Sequence, residues 1–226
     1  MPVADLESLA RTWYRELLEP TFPADELVLE DDFVAAVRTG EVLIHTTGDQ
    51  AHPDGIAIAE YFHESGVLLL SWLAVRPSAR GGGVGQRLLA EALQRWQTEL
   101  HPALVLGEVE HPGSVPADQA HGDPVARLRF YEAFGARAIN LPYVQQPLRP
   151  GGAALEHLML VAFRVEGRGP GERIDREPLR SFLLSYLPGR ERPYDRIFDA
   201  LAAAGDQIEA IGLSSEPAQL PNPPRR

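Results

Sequence analysis

The stretch of sequence that decides the fold runs from residue 75 to residue 86 and reads Val75-Arg76-Pro77-Ser78-Ala79-Arg80-Gly81-Gly82-Gly83-Val84-Gly85-Gln86. An apolar segment typical of a buried strand precedes it, and an amphipathic helical pattern follows it. Because glycine has no Cβ, four glycines let successive backbone N–H groups come close to an anion. The first turn of a helix adds the positive end of the helix dipole at the same place. The stretch therefore predicts a pyrophosphate-binding loop that leads into a helix.

Two other kinds of phosphate loop are excluded by the residues present. Position 88 is leucine, where a dinucleotide-binding fingerprint needs its third glycine. The sequence contains no lysine, so it has neither a Walker loop nor a Schiff-base residue. A flexible turn with no ligand remains the alternative for a glycine run taken by itself.

The segments around this loop alternate between strand and helix patterns. Predicted helices cover Asp5–Glu19, Ala24–Arg38, a stretch beginning at Val84 with Leu88, Ala92 and Trp96 on one face, and Pro124–Phe134, which Gly135 closes. Predicted strands cover Glu41–Thr46, Ile56–His63, Val67–Val75, Ala103–Glu110, Ala136–Asn140 and Leu155–Glu166. The succession predicts an α/β protein with a mixed sheet and helices on its faces.

The composition changes after Glu166, where glycine and proline indicate a linker. Two short helices are predicted beyond it, at Arg176–Leu187 and Pro193–Ala204, and then a proline-rich tail that we expect to be loosely ordered. The predicted organisation is one α/β domain over residues 1–166, a two-helix extension over residues 167–213 and the tail over residues 214–226.

Charge and composition exclude several classes of function. The net charge of −11 disfavours binding to nucleic acid or to anionic membranes. The absence of cysteine excludes disulfides, thiolate catalysis and thiolate zinc sites, and His45, His63 and His111 are too scattered to predict a metal site. The sequence shows no signal peptide and no apolar run of membrane-spanning length, so we expect a cytoplasmic protein without a metal cofactor.

Two motifs in order resemble the GCN5-related N-acetyltransferase (GNAT) family. The first is V-x-P-x-x-R/Q-G-x-G-x-G/A at residues 75–85, and the second is Phe130-Tyr131-Glu132-Ala133-Phe134-Gly135-Ala136, where alanine replaces the family's final phenylalanine. The resemblance spans about Val42 to Val165. It implies a mostly antiparallel sheet with two splayed strands and acetyl-coenzyme A as cosubstrate. The residues that it assigns to the cosubstrate are Leu73, Ala74, Val75, Arg80, Gly81, Gly82, Gly83, Val84, Gly85 and Gln86.

The resemblance also implies catalytic residues. Tyr131 falls where the family keeps a tyrosine beside the coenzyme sulfur, and a phenol there would return a proton to the thiolate. Glu108 aligns with a glutamate that acts as base in members that acetylate protein N-termini. Glu110 shares its face of the strand and is a second candidate, since paired carboxylates raise each other's proton affinity. Either glutamate could instead be an edge-strand charge or an ion-pair partner of Arg127 or Arg129, and Glu60 is a third candidate base.

The predicted function is an N-acetyltransferase that uses acetyl-CoA to acetylate a primary amine by direct attack on the thioester. Tyr143, Gln145 and Gln146 would line the acceptor pocket or form a plain loop before Pro147. The acidic net charge favours a cationic acceptor. The alternative is a GNAT-fold sensor or subunit that binds CoA without turnover. The C-terminal helices would cover the acceptor side as a lid or pack against another subunit, and we expect an intramolecular cover with some contact in a homodimer.

Overall fold

The computed structural model of the protein describes residues 3–114, 123–164 and 171–222. In this part of the chain the α-helices are α1 Val3–Trp13, α2 Glu30–Thr39, α3 Val84–Leu100, α4 Pro124–Glu132, α5 Arg176–Tyr186 and α6 Asp195–Ala203. The strands are β1 Val42–Gly48, β2 Pro53–Phe62, β3 Val67–Val75, β4 Leu104–Glu110, β5 Arg137–Ile139, β6 Leu158–Ala162, β7 Arg173–Asp175 and β8 Gln207–Gly212. Most of the predicted insertion after His111 and of the predicted linker after Glu166 lies outside the described residues.

The strands follow one another across the sheet in the order β1-β2-β3-β4-β6-β5-β8-β7. Antiparallel pairing joins β1 to β2, β4 to β6, β5 to both β6 and β8, and β7 to β8. Helices α3 and α4 lie between strands along the chain, whereas β1–β3 and β5–β7 follow one another without an intervening α-helix. The predicted fold class, a largely antiparallel mixed sheet with flanking helices, is confirmed. The splaying of two strands, which the family resemblance implies, stays a prediction.

Contacts along the backbone divide the chain into two compact units. The first unit comprises Met1–Tyr61, Leu70–Leu100 and Leu148–Gly152, and the second comprises Phe62–Leu69, His101–Pro147 and Ala153–Arg226. The predicted division into residues 1–166, 167–213 and 214–226 concerns separable domains and stays a prediction.

The first unit is built on the apolar faces of α1 and α2. Trp13 of α1 and Phe33 of α2 are buried with Ile58 of β2 in its core, and helical spacing predicts the burial of the two aromatic residues. Trp13 donates its indole N–H to the carbonyl of Gln50 at 2.9 Å, so this large side chain is buried without an unsatisfied donor. α2 ends at Gly40, whose φ of 76° lies in the left-handed region that glycine adopts at low cost.

The helix that follows the glycine loop packs on the other face of β1. Ile44 packs against the core of α1 and α2, whereas the next residue, His45, places its Nε2 3.3 Å from a carboxylate oxygen of Glu91 on α3. Successive side chains of a strand point to opposite faces of a sheet. Within the first unit, α3 therefore lies on the face of β1 opposite to α1 and α2.

The second unit buries α5 and α6 against its strands. Leu179, Phe182 and Leu183 of α5 and Ile197 and Leu201 of α6 belong to a core that also holds residues of β4, β5, β6 and β8. These residues form the apolar faces that the helical spacing predicts, and they are buried against apolar residues of the strands. Both predicted C-terminal helices are present with nearly their predicted bounds.

Two strands of this unit are absent from the sequence prediction. β8 pairs with β5 on one side and with β7 on the other, so it is an inner strand of the sheet. Its buried residues alternate with exposed ones, but the alternation covers only Gln207 to Ala210. A pattern of four residues is weak evidence for a strand by itself. What makes β8 a strand is its pairing with β5, which lies about 70 residues earlier in the sequence, and a local pattern does not show such a long-range contact.

The predicted loose tail is described as far as Asn222. Leu220 is buried, and Asn222 donates its side-chain N–H groups to the carbonyls of Tyr143 at 2.6 Å and Leu158 at 2.8 Å. This amide therefore ties the end of the described chain to Tyr143 and to the first residue of β6. Among the described residues, no helix combines the length and the apolar character that crossing a bilayer requires.

Candidate active site

The glycine loop begins in the first unit, directly after β3. A single 3₁₀ turn, Pro77–Ala79, follows the strand, and α3 starts at Val84. Gly81 and Gly83 have φ angles of 86° and 71°, so the turn itself requires glycine at these two positions. An α-helix leaves the N–H groups of its first turn without partners inside the helix. The first turn of α3 therefore offers backbone N–H donors, and the binding of an anion there stays a prediction.

Gly82 has no structural reason to be glycine. Its φ is not positive, and no heavy atom of the described chain lies within 4 Å of the position that a Cβ would take. A larger side chain would fit there without strain in the protein alone. A glycine at an open position of a loop suits the close approach of a ligand to the backbone.

Three arginines surround this loop. Arg76 anchors its start, since its backbone N–H donates to Asp54 O at 2.8 Å and its guanidinium to Glu16 at 2.8 Å. The exposed Arg80 and Arg87 fold back onto loop carbonyls, with Nε of Arg80 3.1 Å from Val75 O and Nη1 of Arg87 3.0 Å from Gly82 O. Their positive charge suits a diphosphate. The sequence analysis includes Arg80 but misses Arg87, one turn into α3.

The predicted cosubstrate residues on the strand lie at the end of β3. Ala74 is fully buried, whereas Leu73 and Val75 on either side of it are partly exposed. The two flanking residues therefore share one face of the strand. Their roles toward a thioester stay predictions.

In the second unit, Glu108 lies in the middle of β4 and is held by neutral donors. The buried Tyr143 donates its hydroxyl to Oε1, and Gln145 donates its amide N–H to Oε2 at 2.7 Å. The hydroxyl of Tyr186, at the end of α5, lies 3.5 Å from Oε1. Hydroxyl and amide donors aligned on both oxygens fix the carboxylate in one orientation.

The backbone on either side of Gln145 explains why its side chain reaches Glu108. Gln145 exchanges two backbone hydrogen bonds of 3.0 Å with Leu155, which fixes the segment after β5 beside the start of β6. The amide N–H points to the carboxylate, so the orientation of the side chain is settled. Its Oε1 is buried and, within the described ranges, accepts no hydrogen bond.

Glu110 shares the face of β4 with Glu108 but has a different partner. Its side chain is only 5% exposed and pairs with the guanidinium of Arg127 on α4, which is 30% exposed. This pair is the structural alternative that the sequence analysis weighs for the two glutamates. The structure therefore separates two carboxylates that alternation alone leaves equivalent.

Tyr131 lies near the end of α4 among aromatic rings. Its ring meets that of Phe163 edge to face, at 5.5 Å between centroids. Burial raises the pKa of the Tyr131 phenol, and the positive charge of Arg127 offsets part of this effect. Tyr131 therefore keeps its proton at neutral pH, as a proton donor must, although a merely packed tyrosine would do the same.

Glu60, the third candidate base, belongs to the first unit. Its carboxylate accepts one hydrogen bond of 2.8 Å from the hydroxyl of Ser71 on β3. Burial raises the pKa of Glu60, and the hydrogen bond from Ser71 opposes the effect in part. Within the described residues, Glu60 therefore has a raised pKa and a hydrogen bond from Ser71, whereas Glu108 is bound through both oxygens by Tyr143 and Gln145.

The comparisons with known proteins agree with the motifs. Residues 27–135 match the family model of the acetyltransferase (GNAT) domain. No curated protein matches the chain. A solved structure from Bacteroides thetaiotaomicron, assigned to the GNAT acetyltransferase family, has 21% identity and a TM-score of 0.57, over 82% of this chain and 96% of that one. The ribosomal-protein-S18-alanine N-acetyltransferase from Escherichia coli has 17% identity and a TM-score of 0.47, over 72% and 89% of the two chains.

These findings bear on different parts of the prediction. At 21% identity, the Bacteroides structure supports the fold alone, and the alignment with this chain extends over 96% of its length. The family model covers the glycine loop, β4 and the second motif at residues 130–135. The predicted family and the acetyltransferase class are therefore confirmed. Residues 27–135 of the chain match the GNAT acetyltransferase domain.

Proposed function

We propose that the protein transfers an acetyl group from acetyl-CoA to a primary amine. The observation that carries the proposal is the glycine loop at the start of α3, inside the matched GNAT domain. Gly82 is open to a ligand on its Cβ side, although neither backbone nor packing requires a glycine there. A phosphate that approaches the backbone explains this residue.

The loop and the first turn of α3 would bind the cosubstrate through its phosphates. The N–H groups from Gly81 to Gln86 supply the donors, and the exposed guanidiniums of Arg80 and Arg87 supply charge. Leu73, Ala74 and Val75 would offer backbone groups to the thioester and the pantetheine arm. A backbone N–H near Leu73 would stabilise the oxyanion of the tetrahedral intermediate, an effect worth about 3 kcal/mol in other enzymes.

Glu108 is the base in this proposal. Its carboxylate would take a proton from the acceptor ammonium, and the neutral amine nitrogen would then attack the thioester carbonyl carbon. The donors from Tyr143 and Gln145 hold the carboxylate in one orientation, as proton transfer requires. We place Glu110 second, because its pairing with Arg127 engages the charge that a base would use.

Tyr131 is the acid. When the tetrahedral intermediate collapses, the carbon–sulfur bond breaks, and the Tyr131 hydroxyl would give its proton to the coenzyme thiolate. The raised pKa of Tyr131 keeps that proton in place at neutral pH. The nitrogen loses its second proton as the amide forms, which replaces the proton given up by Tyr131, and Glu108 releases the first proton to solvent. The products are therefore an N-substituted acetamide, free CoA and one proton.

The proposal is tested by incubating the protein with acetyl-CoA and a panel of amines while free CoA thiol is measured. We expect thiol release that depends on an amine and the acetylated amine among the products. The panel includes polyamines, aminoglycosides, amino acids, peptides with free N-termini and simple alkyl and arylalkyl amines. Tight CoA binding without turnover of any amine would support the non-catalytic alternative instead.

A further inference from the structure

A glycine lies in the middle of β4, directly before Glu108. Gly107 does not have a positive φ, so the conformation of the strand would accept other residues there. A glycine inside a strand weakens it, because it has no side chain to pack and loses much conformational freedom on folding. The reason for a glycine at this position therefore lies in what occupies the space beside it.

The ring of Phe163 occupies that space. A Cβ on Gly107 would lie 2.9 Å from Cε2 of Phe163, closer than two carbon atoms approach unless one of them shifts. Phe163 directly follows β6, and its backbone N–H donates to the carbonyl of Val105 at 2.9 Å. Because Val105 and Gly107 point to the same face of β4, the ring reaches diagonally from Val105 onto the glycine. Phe163 is only 1% exposed, so its ring is enclosed in this place.

The same ring contacts Tyr131, the acid of the proposed mechanism. The two ring centroids are 5.5 Å apart and the ring planes are 85° apart, an edge-to-face geometry that aromatic pairs prefer. Phe130 also lies near Tyr131, at 5.2 Å between centroids, but it belongs to the same helix and is partly exposed. The buried Phe163 therefore connects Tyr131 of α4 to the backbone of β4.

We infer that Phe163 is a positioning residue that holds the Tyr131 hydroxyl for proton transfer, and that Gly107 provides the space for its ring. This inference rests on the proposed function, in which Tyr131 protonates the coenzyme thiolate. Proton transfer requires the donor within hydrogen-bond distance of the acceptor, so a small displacement of the phenol slows that step. Phe163 and Gly107 therefore act on kcat through Tyr131.

Phe163→Leu removes the ring and retains an apolar side chain. We expect kcat at saturating acetyl-CoA and amine to fall about tenfold, while the KM for acetyl-CoA changes less than about twofold. Phe198→Leu makes the same substitution at another buried phenylalanine of the second unit, on α6, and should retain kcat. Far-UV circular dichroism checks that each variant is folded at the assay temperature.

A double-mutant cycle with Tyr131→Phe separates positioning from plain packing. Without the Tyr131 hydroxyl there is no acid to position, so adding Phe163→Leu to Tyr131→Phe should lower kcat less than about twofold. A purely structural role of Phe163 would lower kcat by the same factor in both backgrounds.

Gly107→Ala reaches the same ring from the strand and keeps the test decisive if Phe163→Leu does not fold. The added methyl group must displace Phe163, and we expect about a tenfold lower kcat, again only while Tyr131 has its hydroxyl. Gly107→Ala combined with Phe163→Leu should lower kcat no further than Phe163→Leu alone, because the ring that the methyl group would displace is gone.

Nuclear magnetic resonance of the protein with ¹³C-labelled tyrosine follows Tyr131 without any turnover. The ring signals of Tyr131 are identified by their loss in Tyr131→Phe. They should shift in Phe163→Leu and stay in place in Phe198→Leu, because only the first change removes a ring that contacts Tyr131.

The outcomes separate this inference from the proposed function. Equal losses of kcat in both backgrounds, an unchanged kcat in Phe163→Leu or an unchanged kcat in Tyr131→Phe would overturn the positioning role and leave the N-acetyltransferase in place. If the parent protein acetylates no amine, the proposed function is wrong. In that case shifted Tyr131 signals in Phe163→Leu would retain the placement of Tyr131 by Phe163, and unchanged signals would overturn it.

Discussion

Tyr143 donates its hydroxyl to Glu108 from a fully buried position, 35 residues further along the chain. Burial, and after it the negative charge of Glu108, holds the pKa of Tyr143 well above its usual value. The phenol therefore remains a donor at any pH at which the enzyme would be assayed. Asn222 in turn binds the backbone carbonyl of Tyr143, so the orientation of this donor depends on the last described residues.

Replacing the proposed base should slow the reaction without unfolding the protein. Glu108→Gln retains the shape of the side chain but cannot accept the ammonium proton, and we expect kcat to fall about a hundredfold or more. The measurement is steady-state CoA release with the best amine of the panel. Glu64→Gln, at an exposed position before β3, is the control for the loss of one negative charge. A kcat within twofold of the parent would remove Glu108 from the mechanism.

Tyr131→Phe tests the acid. The ring can still pack against Phe163, so the fold and the KM for acetyl-CoA should be retained. We expect kcat to fall by about tenfold to a hundredfold, because the thiolate must then take its proton from water. Tyr194→Phe is the control, because it removes a hydroxyl from another buried tyrosine, directly before α6. Equal kcat values for Tyr131→Phe and Tyr194→Phe would mean that Tyr131 only packs.

Gly82→Ala tests whether the loop backbone is approached by a ligand. The added methyl group meets no atom of the described protein, so the melting temperature should not fall. A methyl group in the path of a diphosphate should weaken CoA binding by about tenfold, measured by calorimetry. Gly205→Ala adds the same methyl group at another open position and should leave CoA affinity unchanged. Unchanged affinity in Gly82→Ala would contradict a phosphate site on this loop.

Glu110→Gln should affect stability more than catalysis. The change removes the buried carboxylate that pairs with the guanidinium of Arg127, and we expect a loss of about 2 kcal/mol, less than for a fully buried pair because Arg127 is 30% exposed. The double variant Glu110→Met with Arg127→Leu should recover most of the lost free energy of unfolding, because it replaces both charges with apolar side chains. Urea unfolding gives the stabilities, and CoA release at a temperature where the variant is still folded gives the rates. A slow enzyme of undiminished stability would instead make Glu110 a catalytic group.

His111, at the end of β4, predicts a dependence of stability on pH. Its Nδ1 accepts the N–H of Gly113 at 3.0 Å, so Nε2 carries the proton and donates to the carbonyl of Pro217 at 3.0 Å. Burial lowers the pKa of His111, and the Pro217 carbonyl opposes this in part. The unfolded chain therefore binds more protons than the folded chain once the pH falls below about 6.5.

The free energy of unfolding should thus be highest above that pH and decline below it. One histidine contributes a slope of at most about 1.4 kcal/mol per pH unit. Urea unfolding between pH 8 and pH 5 measures the slope. His111→Gln, which cannot titrate, should be less stable at pH 8 but should show a shallower decline. Parallel curves for the two proteins would show that other groups cause the pH dependence.

The parts of the fold that sequence predicts are those that local chemistry determines. Asp123 accepts the N–H of Val125 at 2.9 Å and Pro124 occupies the first turn of α4, while Gly135 has a φ of 72° just after that helix. The glycine loop is likewise determined by residues within one short stretch, from Val75 to Gln86. Helix caps and turns depend on residues two to four positions apart, so one short stretch of sequence contains the whole signal.

The environment of Glu108 depends instead on contacts between distant segments. Tyr143, Gln145 and Tyr186 lie 35, 37 and 78 residues away from it in sequence. Alternation along β4 correctly places Glu108 and Glu110 on one face, but it cannot show that one meets neutral donors and the other an arginine. Tyr186 is missed as a site residue because its helical spacing explains it as a core position.

The position of β8 has a practical consequence for shortened versions of this protein. Removing the chain from residue 207 onward would leave β5 with a row of unpaired backbone donors and acceptors, and β7 without its only described neighbour. Such exposed edges attract strands from other molecules. A version cut after Glu166, where the composition changes, should therefore precipitate in the cell rather than yield a smaller enzyme.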